Sequence, residues 1–163
     1  MAFTKVPTAD KISSLTPSLF NFTRDREFGT IHISQPSFID TIARRFDISP
    51  GRSVMSPMDP SVDLRIATNA DDTIDIPYAS LIGNINYCAV ATRPDISYAT
   101  NKCTQFTSKP TLIHWEAAKH IIRYLLHTCE YGITYLQQGV GIKGYGHHIA
   151  SFTDADFAGD IND

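Results

Sequence analysis

The sequence predicts an α+β fold dominated by helices: an N-terminal β-hairpin, a small bundle of three or four helices, and C-terminal β-strands. Three observations carry this. Apolar and polar residues alternate on either side of a turn-forming stretch near residue 27. Apolar residues then recur at i, i+3 and i+4 in several segments between 36 and 127. Alternation returns after Gly132.

Taken in order, residues 1–18 show weak periodicity and two prolines, Pro7 and Pro17, and read as a loose arm. Phe20 and Phe22 alternate with polar neighbours, Asp25-Arg26-Glu27-Phe28-Gly29 supplies turn chemistry, and Ile31 and Ile33 resume the alternation, which makes a hairpin. Ser34 is the expected N-cap of a helix over 36–46, with Pro36 in the first turn and Phe38, Ile39, Ile42 and Phe46 on one face. Pro50-Gly51 is expected to stop it. Residues 47–76 carry Pro50, Pro57, Pro60 and many short polar residues, and read as a long, flexible connector. Tyr78, Leu81, Ile82, Ile85 and Val90 suggest a largely buried helix over 77–91. Thr92-Arg93-Pro94-Asp95 breaks it, because the residue before a proline disfavours helix. Ile96, Ala99, Cys103 and Phe106 form a further helix, which Ser108-Lys109-Pro110 ends. Thr111 caps another, carrying Trp115, Ala118, Ile121, Ile122, Leu125 and Leu126. Tyr131, Ile133 and Tyr135 alternate as a strand, and a Gly-rich turn over 139–146 leads to a last strand near 148–154.

Composition bounds the function. The chain has 163 residues, 42% hydrophobic and 19% charged, enough to bury a core in one domain. With a net charge of −3 it is no polycation, so any nucleic-acid contact must come from a local basic face. Cys88, Cys103 and Cys129 are scattered and odd in number, against a disulfide framework or a zinc site. The N-terminus has no secretory pattern, and no run approaches the ~18 apolar residues of a membrane span. The expectation is an intracellular protein, cytoplasmic or nuclear, with no membrane partner. Asn21-Phe22-Thr23 matches a glycosylation sequon only by chance on that reading.

Four strings, in order, resemble a known family. They are Gly29-Thr30-Ile31-His32-Ile33-Ser34-Gln35 with Arg44-Arg45-Phe46; Ser56-Pro57-Met58; Tyr78-Ala79-Ser80-Leu81-Ile82-Gly83 and Tyr87 running into Thr92-Arg93-Pro94-Asp95-Ile96; and His114-Trp115-Glu116-Ala117-Ala118-Lys119, Ile122-Arg123-Tyr124-Leu125, Tyr131-Gly132-Ile133 and Asp154-Ala155-Asp156-Phe157-Ala158-Gly159-Asp160. Order and spacing over about 19–163 resemble the Pol polyprotein of copia-type LTR retrotransposons, where reverse transcriptase passes into RNase H. The resemblance implies that 19–137 is the end of the reverse transcriptase, with the hairpin as primer grip and the helices as thumb and connection. It implies that 145–163 is a truncated start of RNase H, and that the C-terminal strands, the one after Gly132 included, belong to an incomplete sheet whose other members are missing. Asp154 matches the first RNase H carboxylate, and the parent family uses Mg2+ held by several such carboxylates. Ala79 stands where the family usually has Arg, and Phe157 where it has Trp. The polymerase's Tyr-x-Asp-Asp pair is expected upstream of residue 19 and is absent, and Asp163 precedes the remaining RNase H carboxylates.

Individual residues carry their own chemical signals. Asp71-Asp72 lies in the polar connector and reads as a solvated loop. Asp154, Asp156 and Asp160 fail as a calcium loop because Ala158 occupies the fifth position, and a lone Asp154 is a weak, vestigial metal ligand. Lys119, Arg123 and His127 fall at i, i+4 and i+8 on a stripe shared with Glu116 and His120. Such a stripe is either a solvated face or a surface that tracks phosphates. Arg44 and Arg45 are similar candidates on the first helix. Trp115, Tyr87, Tyr98 and Phe106 read as core rather than base-stacking platforms. The expectation is a fragment with no complete catalytic site and no cofactor of its own. It binds RNA or DNA template–primer weakly at most, and exposed C-terminal strands invite self-association. The alternative is a non-catalytic helical scaffold for a protein or RNA partner.

Overall fold

A computed structural model describes residues 10–11, 19–64 and 74–136. The chain begins with β1 (Asp10–Lys11), β2 (Asn21–Asp25) and β3 (Thr30–Ser34), followed by α1 (Pro36–Arg45). After the connector come α2 (Tyr78–Ala91), a 3-10 turn (Pro94–Ile96), α3 (Ser97–Thr104), α4 (Leu112–His127) and β4 (Gly132–Leu136). The strands form one antiparallel sheet in the order β1-β2-β3-β4.

The expected hairpin is present. Asp25 accepts backbone N–H bonds from Glu27 and Phe28 at 2.9 and 3.0 Å, and Gly29 takes a φ of 61° that a side chain would resist. Two strand expectations need correction. Asp10–Lys11, inside the segment expected to be a loose arm, pairs with β2. The strand after Gly132, expected in a sheet whose other members lie elsewhere, instead pairs with β3 along its whole length, Ile33 opposite Ile133. The strand expected near 148–154 and the Gly-rich turn before it lie outside the described residues.

The helix ends also differ from expectation. Ser34 is the buried last residue of β3 and caps nothing; Gln35 occupies the N-cap position, without a side-chain cap bond. Helix α1 ends before Pro50-Gly51. Asp47 turns left-handed at φ 52°, its N–H reaches the Arg44 carbonyl and the Ile48 N–H reaches Ala43 at 2.8 Å. This is a Schellman ending with Asp in the usual glycine place, closed by burial of Ile48. Thr111 caps α4 as expected, in a box whose return bond comes from His114: the Thr111 N–H donates to His114 Nδ1 at 2.9 Å.

The four helices enclose the core, built from Ile39, Ile42, Leu81, Ile85, Ile96, Ala99, Cys103, Phe106, Ile121, Ile122 and Leu125. Phe106 stacks flat on His114 at 4.1 Å, and Trp115 meets Phe46 edge-on. Tyr98 and Val90 depart from the core reading and face solvent, and Tyr87 is partly exposed, against Phe38. Burial pushes the Cys88 thiol up to about 12 and the Cys103 thiol up to about 11, so both stay protonated packing groups. No described helix is long and apolar enough to cross a membrane.

Candidate nucleic-acid interface

The stripe on α4 is assembled as its spacing requires, and it is centred on an anion. Glu116 lies one turn before Lys119, whose Nζ is 2.5 Å from its Oε1, and Arg123 Nη1 is 3.9 Å from its other oxygen. All three side chains keep part of their surface in water. Ion pairs of this kind contribute roughly 0–1 kcal/mol each and exchange partners readily.

The first half of the connector, expected to be loose, lies against this helix. His120 Nε2 donates to the Ser56 carbonyl at 3.0 Å and His127 Nε2 to the Pro50 carbonyl at 3.2 Å. Ile48 and Leu64 are buried at its two ends. Between connector and helix lies a cavity of about 360 Å³, walled by Met58, Val62, Leu64, Leu112, Ile113 and Ala117 and lined also by Glu116, His120 and Arg123. His127 is thus engaged with the connector, while Lys119 and Arg123 point to Glu116. Near the cavity, the Ser61 hydroxyl and N–H bond to Asp59 and hold its carboxyl below the usual range.

Arg44 and Arg45 lie in the last turn of α1, where positive charge complements the helix dipole. Arg44 pairs with Asp40 one turn back, and Arg45 sits over the Phe46 ring at 5.4 Å. They are a separate pair of cations on another helix. Asp154, Asp71-Asp72 and His147-His148 lie outside the described residues. Among the described residues no group of three or more His, Cys, Asp or Glu is placed to hold a metal ion. The Mg2+ of the implied parent therefore finds no fitting donor set among the described residues.

The most organised polar site lies where the sequence marks a helix break and part of one resemblance string, with no polar role. Arg93 is fully buried at the end of α2. Its Nε and Nη2 grip both oxygens of Asp95 at 2.9 and 2.8 Å, while Nη1 and Nη2 donate to the Thr128 carbonyl and hydroxyl at 2.9 and 2.6 Å. The rings of Tyr124 and Tyr131 cover the guanidinium at 5.4 and 5.5 Å. The Tyr124 hydroxyl completes the set by donating to Asp95 at 3.0 Å. Burial raises the Asp95 carboxyl, but bonds from Arg93 and Tyr124 outweigh it and hold the group below its ordinary range. The Arg-x-Asp spacing around a proline was the available signal. Its partners at the end of α4 and just beyond it, Tyr124, Thr128 and Tyr131, are 31–38 residues away, and spacing alone does not reveal them.

The strings that carried the resemblance are tied to one another and to the residues between them. The Thr92 hydroxyl donates to Gln35 at 2.7 Å, tying the end of α2 to the hairpin. The Tyr78 hydroxyl donates to the Cys103 carbonyl at 2.8 Å. His32 bonds Thr134 at 2.8 Å and the Glu130 carbonyl at 3.1 Å, pinning β3 to β4. Gly132 lies so close to β3 that a Cβ there would stand 2.0 Å from the Ile33 carbonyl oxygen.

No protein-family profile matches the chain, and no solved structure matches it. Curated proteins do. Over 133 residues, 82% of the chain, it is 36% identical to the retrovirus-related Pol polyprotein from transposon RE1 of Arabidopsis thaliana. Over 145 residues, 85% of the chain, it is 31% identical to the corresponding polyprotein from transposon TNT 1-94 of Nicotiana tabacum. It spans 9% and 10% of their lengths. Secreted RxLR effector protein 161 of Plasmopara viticola is 38% identical over 87 residues, 53% of the chain and 57% of that relative. The chain is therefore homologous to one short segment of the retrovirus-related Pol polyproteins of transposons.

Proposed function

We propose that the chain is the thumb and connection of a copia-type reverse transcriptase running into the first strand of its RNase H, and that it holds template–primer without turning it over by itself. The carrying observation is the physical interlock of the family-like strings: Arg93 with Tyr124 and Tyr131, Asp95 with Tyr124, Gln35 with Thr92, and Ile33 opposite Ile133. Residues that meet this way belong to one folded unit, which supports reading the strings together as one segment of that polymerase. Lys119 and Arg123 are the cations that face nucleic acid, because a phosphate replaces Glu116 at small cost in a half-exposed pair. His127, Arg44 and Arg45 add charge at the periphery, and Asp154 is a vestigial metal ligand. The setting is intracellular, cytoplasmic or nuclear.

The test is a titration of a labelled primer–template at two salt concentrations, beside a magnesium-dependent polymerase and RNase H assay. We expect weak binding that falls with salt by a log–log slope of about −0.9 per phosphate engaged, and no turnover. Salt-independent binding contradicts the grip; turnover above background contradicts the non-catalytic reading. A second reading, a non-catalytic scaffold for a protein or RNA partner, is favoured by one observation: a relative named as an effector shares this segment over 57% of its own length.

A further inference from the structure

The sheet has two edges, and they are built differently. At one, β1 is two residues long and both are charged, Asp10 and Lys11. Shortness and charge are the usual protections of an edge strand. At the other edge, β4 runs Gly132-Ile133-Thr134-Tyr135-Leu136, with neither charge nor proline. Among the described residues it pairs only with β3, so its outer backbone groups meet no other strand.

The sheet also carries an open apolar face. Residues directly opposite one another share a face, so Phe22, Ile33 and Ile133 lie together, as do Arg24, Ile31 and Tyr135 beside them. Phe22 is 40% exposed, Ile31 41% and Tyr135 57%. The opposite face carries Thr23, His32 and Thr134. The apolar face thus reaches the unprotected edge.

We propose that the outer edge of β4 pairs antiparallel with β4 of a second copy, about a two-fold axis through Thr134. The sequence of the strand is self-complementary in that register. Thr134 faces Thr134 across the axis, Ile133 faces Tyr135 on both sides, and Gly132 faces Leu136. A β-branched residue opposite an aromatic is among the favourable cross-strand pairs, as is Thr opposite Thr. The two-fold makes the contact isologous, so it closes at a dimer and does not run on as a fibre. It also joins the two apolar faces into one surface that a three-residue slip would split. This inference does not depend on template–primer binding: a dimer that ignores nucleic acid leaves it standing.

The full chain is tested by light scattering after gel filtration and by cysteine cross-linking. Wild type is expected at twice the chain mass when loaded at high chain concentration. Thr134→Lys, which sets like charges directly opposite, is expected to run as a monomer with its helical circular dichroism retained. In a Cys129→Ser background, with Cys88 and Cys103 buried, Thr134→Cys is expected to form a disulfide dimer under mild oxidation. Its two thiols sit directly across the axis, near the separation a disulfide spans. Tyr135→Cys, whose mates are diagonal and two pairs apart, is expected to cross-link at least tenfold more slowly. A monomeric wild type overturns the proposal. Equal cross-linking at 134 and 135 overturns the register.

Discussion

Arg93 and Arg123 each meet a carboxylate, in opposite environments. The Arg93 side chain is 1% exposed, grips Asp95 through two nitrogens, bonds Thr128 twice and lies between two tyrosine rings. The Arg123 side chain is 31% exposed, stands 3.9 Å from Glu116 and shares it with Lys119. A buried, fully bonded guanidinium fixes where helices end; removing it strands its partners away from water. A half-wetted one contributes little to stability and remains free to change partner. Recognisable residues in this chain are therefore of two kinds, and one of the strings that carried the resemblance, Thr92-Arg93-Pro94-Asp95, belongs to the architecture.

The sharpest way to break that contrast is to truncate each arginine in turn. Arg93→Ala is expected to cost about 3 kcal/mol, the low end for breaking a buried pair because Asp95 keeps some water. Urea unfolding measures it, and Arg93→Lys restores little, since an ammonium cannot span both oxygens and two ring faces. An Arg93→Ala protein as stable as wild type removes the contrast. Next in size is Gly132→Ala, where the added carbon meets the Ile33 carbonyl. Separating β4 from β3 is expected to cost roughly 2 kcal/mol, as overpacking does, with the loss confined to strand signals in hydrogen exchange. Tyr124→Phe removes a single bond to Asp95 and is expected to cost about 1 kcal/mol.

Acid sharpens the same comparison. The Asp95 carboxyl titrates below its unfolded value of about 3.9. Its contribution is therefore present above that value and lost as pH falls through the lower, folded one. Urea midpoints of wild type and Asp95→Asn are expected to differ at neutral pH and to converge at the acid end of that window; a constant difference contradicts it. The smallest stability effect belongs to Lys119→Ala with Arg123→Ala, expected below roughly 1 kcal/mol.

Much of the helical layer was legible because its signals are local. The face of Ile39 and Ile42, the Thr111 cap and the break at Pro94 each depend on neighbours within a few residues. The errors arose where local signals competed or were silent. Ser34 looked like a cap, yet β3 extends to it and buries it. Pro50-Gly51 looked like a stop, yet Asp47 turned left-handed first because Ile48 could be buried behind it. The pairing of β4 with β3 joins residues about a hundred positions apart, a register that alternation alone does not specify. At the interface, the spacing of Lys119, Arg123 and His127 was readable, but the connector that bonds His120 and His127 was not, because a Pro-rich stretch carries no periodicity to say what it lies against.

The most direct measurement is primer–template affinity at about 50 and 200 mM salt for wild type, Arg93→Lys and the Lys119→Ala, Arg123→Ala double variant. The division between architecture and grip predicts that the double variant binds more weakly and loses about one to two units of salt slope while keeping its fold. It predicts that Arg93→Lys, where still folded, keeps the wild-type slope. Identical binding by wild type and the double variant would contradict it.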